Sequence, residues 1–92
     1  MRRWRIEIPP RVAELIRHLP PEIKAAVREA LRGLAENPRL GEPLQGELEG
    51  LLKFRVRRYR VVYAVDRKRR RIEIYAVGHR RGVYEAIVER ER

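Results

Sequence analysis

The chain has 92 residues, a formal net charge of +10, 43% hydrophobic and 39% charged residues, a balance that fits one folded domain over residues 1–92 with one modest core. It contains no Cys, Ser or Thr, which excludes disulfides, zinc–thiolate sites, thiol nucleophiles and the hydroxyl nucleophiles of catalytic triads. His18 and His79 are the only histidines, so a multi-histidine metal site is excluded as well, and no metal or cofactor is expected.

No apolar run approaches the roughly 20 residues that cross a bilayer, and the N-terminus lacks the apolar stretch of a signal peptide. A cytoplasmic protein with no membrane partner is expected. The charge is unevenly placed. Residues 53–81 carry 12 Lys and Arg against Asp66 and Glu73, while the rest of the chain has 11 basic and 11 acidic residues. All the excess charge therefore sits in one C-terminal segment, the footprint of a polyanionic partner such as nucleic acid or an acidic protein.

Taken in order, Trp4, Ile6 and Ile8 alternate with Arg3, Arg5 and Glu7, which predicts a first strand. Pro9-Pro10 ends it, and proline suits the first turn of a following helix. Val12, Leu15, Ile16 and Leu19 recur on one helical face until Pro20-Pro21, where a second helix begins. Its apolar stripe is Ile23, Ala26, Val27, Ala30, Leu31 and Leu34, with Lys24, Arg28, Glu29 and Arg32 outside, and Asn37-Pro38 stops it. These two helices are expected to form an antiparallel hairpin whose stripe lies on a sheet. Residues 38–50, with three glycines and two prolines, predict a loop holding at most one helical turn, tacked to the core by Leu40, Leu44 and Leu48.

Residues 53–65 then read as a hairpin. Phe54 and Val56 alternate with Lys53, Arg55 and Arg57, and the phase slips at Arg57-Arg58 as a tight turn requires. In the second strand Tyr59, Val61, Tyr63 and Val65 share one face and Arg60, Val62 and Ala64 the other. Lys53, Arg55 and Arg60 thus crowd onto one face of a sheet whose reverse is core. Like charges on neighbouring strands repel, so an anion is expected to complete the arrangement. After a polar turn at residues 66–70, which lacks the usual glycine, Ile72, Ile74 and Ala76 alternate with Arg71, Glu73, Tyr75 and Val77 in a last strand ended by Gly78. Residues 83–92 predict a short helix. The fold class is α+β: an N-terminal strand, a two-helix hairpin and a three-stranded antiparallel meander in two layers.

The chemistry open to such a surface is phosphodiester chemistry. Arg offers a planar fork for two phosphate oxygens, and Lys a point charge or proton carrier. Lys53, Arg55, Arg60 and Arg80 supply four cations, with His79 and Tyr84 the aromatic groups nearby that can handle a proton. A phenol among cations is the better base, and it can also stack on an unpaired base. RNA cleavage by the substrate's own 2′-OH suits a chain without Ser, Thr or Cys, because the protein need only position and stabilise. Tyr59, Tyr63 and Tyr75 fit structural places in strands, and His18 fits a cap or charge at the end of the first helix. Residues 67–71 form a solvated turn that adds long-range attraction for a polyanion.

These residues resemble a known family. Residues 44–50 (LQGELEG), Lys53-Phe54-Arg55-Val56, Tyr59-Arg60-Val61-Val62-Tyr63, and Val77-Gly78-His79-Arg80 followed by Val83-Tyr84, in this order of elements, are similar to the RelE/ParE toxin superfamily across the whole chain. The RelE-like branch cleaves mRNA in the ribosomal A site without metal, and the ParE-like branch poisons DNA gyrase. The resemblance implies the first, with Lys53, Arg55, Arg60, Arg80 and Tyr84 catalytic; beside them, Arg57, Arg58, His79 and Arg81 are expected to contact RNA, the alternative being that Arg57 and Arg58 merely form the turn and His79 is a loop residue. Arg60 and Arg80 would stabilise the phosphorane-like transition state, Lys53 and Arg55 would hold the phosphate and assist proton transfer, and Tyr84 would act as base or stacking platform. Arg55 stands where the RelE pattern often has Lys, and a guanidinium does not readily deprotonate. The implied partners are an acidic antitoxin protein, mRNA and the ribosome, with toxin and antitoxin assembling further on operator DNA. A gyrase inhibitor of the same fold and a non-catalytic nucleic-acid-binding module are the alternative functions.

Overall fold

The computed structural model describes residues 3–79, 82–84 and 87. Strand β1 (Arg5–Glu7) leads into helices α1 (Pro10–Arg17) and α2 (Pro21–Glu36), followed by β2 (Glu42–Pro43), β3 (Leu52–Val56), β4 (Tyr59–Asp66) and β5 (Arg71–His79). The five strands form one sheet in the order β1-β5-β4-β3-β2. The antiparallel meander β3-β4-β5 lies at its centre, and β1 pairs with β5 in parallel, Ile6 opposite Ile72. The α+β class and two helices stand as the sequence pattern implies. The expected loop at residues 38–50 instead contains 3₁₀ turns at Pro38–Leu40 and Gly46–Leu48 and the two-residue strand β2. A strand that short gives no period to read.

Both helices begin on prolines, at Pro10 and Pro21, where the missing N–H costs nothing. The α2 stripe is buried as patterned at Val27, Ala30, Leu31 and Leu34, and Ala35 joins it. On α1, Val12 and Ile16 are buried but Leu15 is 48% exposed, because an eight-residue helix touches the sheet along only one narrow line. His18 caps that helix, its amide donating to Leu15 O at 3.2 Å and its Nδ1 lying 2.9 Å from Glu14 O.

The sheet carries a core on each side, where composition suggested one. The larger core joins the helices to Val56, Val61, Tyr63, Ile72, Ile74 and Val77. The smaller one, on the opposite face, gathers Val62, Ala76, Val83 and Ile87 under Leu44, Leu48, Leu51, Tyr75 and Tyr84. This division corrects the alternation expected for β5. The register slips where Val62 faces Ala76 while Tyr63 faces Ile74, so Tyr75 is the extra residue of a β-bulge. Beyond the bulge the phase reverses. Ala76 therefore leaves the side of Ile72 and Ile74, and Val77 takes its place in the larger core.

Tyr63 fastens residues 38–41 to the sheet. Its buried hydroxyl donates to Pro38 O at 2.8 Å and accepts from the Gly41 amide at 2.9 Å. Gly41 permits this approach, since a Cβ there would sit 2.7 Å from Lys53 O and closer still to the hydroxyl. Burial pushes the Tyr63 phenol above its usual range, and the Gly41 hydrogen bond offsets part of the rise.

Candidate functional site

The β3–β4 hairpin positions the cations. Its two-residue turn is Arg57-Arg58, and Arg57 takes φ 56°, the positive value that primed hairpin turns need at their first central position. Arginine fills a place that glycine or asparagine would fill with less strain. The register then sets Arg55 directly opposite Arg60 and Lys53 opposite Val62. Because paired residues share a face, Lys53, Arg55 and Arg60 stand together on the face of the smaller core, as the alternation implies.

These three side chains have no carboxylate within ion-pair distance among the described residues. The guanidiniums instead turn back to the hairpin tip. Arg55 Nε and an Arg60 terminal nitrogen each donate to Arg57 O at 3.4 Å, and the same Arg60 nitrogen donates to Tyr59 O at 3.0 Å. Two like charges thus converge on one carbonyl oxygen. Arg57 is itself tied to α2, 3.7 Å from Glu22, while Arg58 is exposed. A polyanion meeting this tip would exchange weak contacts to backbone oxygens for charge-assisted ones.

Tyr84 stands on the same face. Its ring packs against the smaller core, and its hydroxyl is buried with no hydrogen-bond partner among the described residues. A buried unsatisfied hydroxyl costs about 1–3 kcal/mol, so the side chain gains by turning toward a polar partner. Arg80 and Arg81 lie outside the described residues, as does most of the expected C-terminal helix.

His79 is placed away from this group. The last strand does not stop at Gly78 but continues to His79, which pairs with Tyr59. Their rings meet edge to face at 5.9 Å between centroids. Tyr59 belongs to the helix-facing side with Val61 and Tyr63, so His79 does too, and the sheet separates it from Lys53, Arg55 and Arg60. The bulge at Tyr75 is what moves it. Among the described residues no group of three His, Cys, Asp or Glu could hold a metal ion, and no helix is long and apolar enough to cross a membrane.

A family model, the ParE toxin of type II toxin–antitoxin systems, matches residues 11–84. The chain belongs to the RelE/ParE toxin superfamily. It is 41% identical over 83 residues to the toxin RelE of Mycobacterium tuberculosis, a match covering 88% of this chain and 86% of that protein. A chain of the crystal structure of the M. tuberculosis toxin–antitoxin complex RelBE2 superposes with a TM-score of 0.77 at 34% identity, over 87% of this chain and 94% of that one. A mutant of the E. coli toxin RelE in the free state reaches a TM-score of 0.78 over 96% of this chain and 97% of that one. At 24% identity that second likeness is one of fold.

What the sequence pattern missed in this RelE/ParE chain is the cover of the smaller core, against which Tyr84 also packs. Leu44, Leu48 and Leu51 recur at helical spacing, yet they come from a strand-and-turn segment whose Leu44 amide donates to Leu51 O at 2.9 Å. Leu40, expected to pack with them, is 47% exposed.

Proposed function

We propose that this member of the RelE/ParE superfamily is a metal-independent endoribonuclease that inhibits translation by cutting mRNA at the ribosomal A site. The observation that carries this reading is the register pairing of Arg55 with Arg60, next to Lys53, on a face where none of the three has a carboxylate partner among the described residues. Tyr84 on that face adds the proton-handling group.

The reaction fits those residues. Tyr84, its ring turned out of the smaller core, takes the proton of the substrate's 2′-OH on its phenolate oxygen and is left as the phenol. The 2′ oxygen then bonds to phosphorus, and the bond to the 5′ oxygen breaks. Arg60, joined by Arg80, supports the charge that collects on the phosphoryl oxygens. Arg55 grips the phosphate with its fork, and Lys53 returns a proton to the departing 5′ oxygen. Arg57, Arg58 and Arg81 contact neighbouring phosphates. His79 takes no part, because it faces the helices.

An acidic antitoxin is the partner this reading requires, holding the toxin inactive until it is removed and assembling with it on operator DNA. Complexes of related toxins support it: RelBE2 of M. tuberculosis and RelE–RelB of Pyrococcus horikoshii OT3 are toxin and antitoxin together. Such a toxin works where ribosomes are, in the cytoplasm.

In-vitro translation followed by primer extension tests the activity. New 5′ ends within ribosome-bound message are expected. Intact message with loss of gyrase supercoiling would establish the gyrase-inhibitor reading instead. RNA binding without cuts would leave a non-catalytic module.

A further inference from the structure

We propose that the chain has a second single-stranded RNA contact, at the end of the sheet far from the hairpin tip, where one unpaired base packs against Trp4 and the flanking phosphates rest on Arg39 and Arg67. A cavity of about 280 Å³ opens there, with Trp4, Pro38, Leu52 and Val65 as apolar walls and Arg39 and Arg67 among its lining. It joins the two features by which single strands are held: an aromatic surface for a base, and guanidiniums that track the backbone.

The adjoining turn is built to present charge. Asp66 Oδ1 accepts from the Arg69 amide at 3.1 Å, fixing the turn, and Arg70 takes φ 51°. Arg70 thereby places its guanidinium 4.6 Å from the Trp4 ring centroid, within cation–π range. Arg67, Lys68 and Arg69 are exposed, and none has an acidic partner among the described residues. Asp66 accepts from a backbone amide and forms no ion pair with these cations among the described residues.

The position makes this a separate contact. Arg60 and Arg67 lie at opposite ends of β4, seven residues apart, about 23 Å along an extended strand. One strand of RNA, or two segments of a folded one, can occupy both ends at once. An acidic helix would find better apolar anchorage in the groove of Ala26, Ala30, Phe54 and Val56 between α2 and β3 than in a cavity rimmed by guanidiniums, which favours RNA here. The inference shares with the ribonuclease reading only the premise that RNA approaches this chain.

Trp4 is the chain's single tryptophan, so its fluorescence reports on this cavity alone. The probe is a 2′-O-methyl oligoadenylate, which has no free 2′-OH and is not cut. Saturable quenching of Trp4 is expected in the wild type and in Arg60→Ala. In Arg39→Ala/Arg67→Ala the affinity read from quenching should fall roughly five- to a hundredfold. Its dependence on salt should flatten by about 0.7 log units per log unit of salt for each arginine lost. Binding seen by anisotropy without any change in Trp4 emission would overturn the site, as would an undiminished quench in the double variant. Equal quenching by polyglutamate would also overturn it, and would mark a surface for an acidic protein. Cleavage is scored separately by primer extension, so quenching without cuts would remove the ribonuclease reading and leave this one standing.

Discussion

The helix-covered face of the sheet and the face opposite are made by the same strands, yet among the described residues twelve buried ones close the first and four the second. On the helix side Val61, Tyr63, Ile72 and Ile74 are at most 1% exposed, and no charged group is buried among the described residues. On the other side Lys53, Arg55 and Arg60 occupy the strand positions that would extend the smaller core. Placing Arg55 opposite Arg60 opposes folding, because like charges face each other across a strand pair. The difference teaches where each property resides. One face supplies the larger core, and the other holds a charge cluster that opposes folding, the feature the proposed function uses.

Substitutions can break this division. Leu34→Ala empties part of the larger core and should lower unfolding free energy by about 2–5 kcal/mol, read from a urea transition. Cleavage per folded molecule should be unchanged; a matching loss of specific activity would show that the two faces are not independent.

Tyr63→Phe acts on the same face through polar groups. It leaves Pro38 O and the Gly41 amide without their partner, and a loss of about 1–3 kcal/mol is expected. The pH dependence sharpens this. A phenol whose folded pKa is raised binds its proton more tightly in the folded state, so its stability term is intact below the unfolded value of about 10 and declines as pH rises above it. Urea midpoints should therefore fall less steeply above that pH in Tyr63→Phe than in the wild type. Equal slopes would assign the alkaline loss to other groups.

Leu48→Ala tests the smaller core. Leu48 is half-buried, so a cost of about 1 kcal/mol is expected. Cleavage should nevertheless change, because Leu48 and Tyr84 pack against the same smaller core, whereas the more damaging Leu34→Ala should spare it. The smallest effect belongs to the hairpin turn. Arg57→Gly relieves φ 56° at the expense of an exposed ion pair, and should shift stability by no more than about 1 kcal/mol; a thermal midpoint several degrees lower would mean that the Glu22 contact matters more than the backbone.

The parts of this structure readable in advance were those with local causes. Tyr59, Val61, Tyr63 and Val65 alternate cleanly because each strand residue there faces either helices or cations, and that pattern placed Lys53, Arg55 and Arg60 together before any pairing was known. The prolines at Pro10 and Pro21 announced both helices. The bulge at Tyr75 has no such signature. It arises from how β5 meets β4, and one unpaired residue reverses the side on which Ala76, Val77 and His79 stand. The parallel pairing of β1 with β5 is likewise a contact between distant segments, held in part by Arg71 and Glu7 at 2.9 Å. Leu44, Leu48 and Leu51 were legible as apolar residues but not as cover for the second face, since nothing in their spacing says which side of the sheet the chain will cross.

The central claim is that the cation face is a catalytic surface carried by a fold that does not need it. Single-turnover cleavage of ribosome-bound message by Arg60→Ala, measured beside its urea transition, tests this most directly. A rate lower by about 10²–10³-fold, the usual cost of losing one preorganised transition-state donor, with stability within about 0.5 kcal/mol of the wild type, is the predicted result. Cleavage at the wild-type rate by an equally stable Arg60→Ala would contradict it.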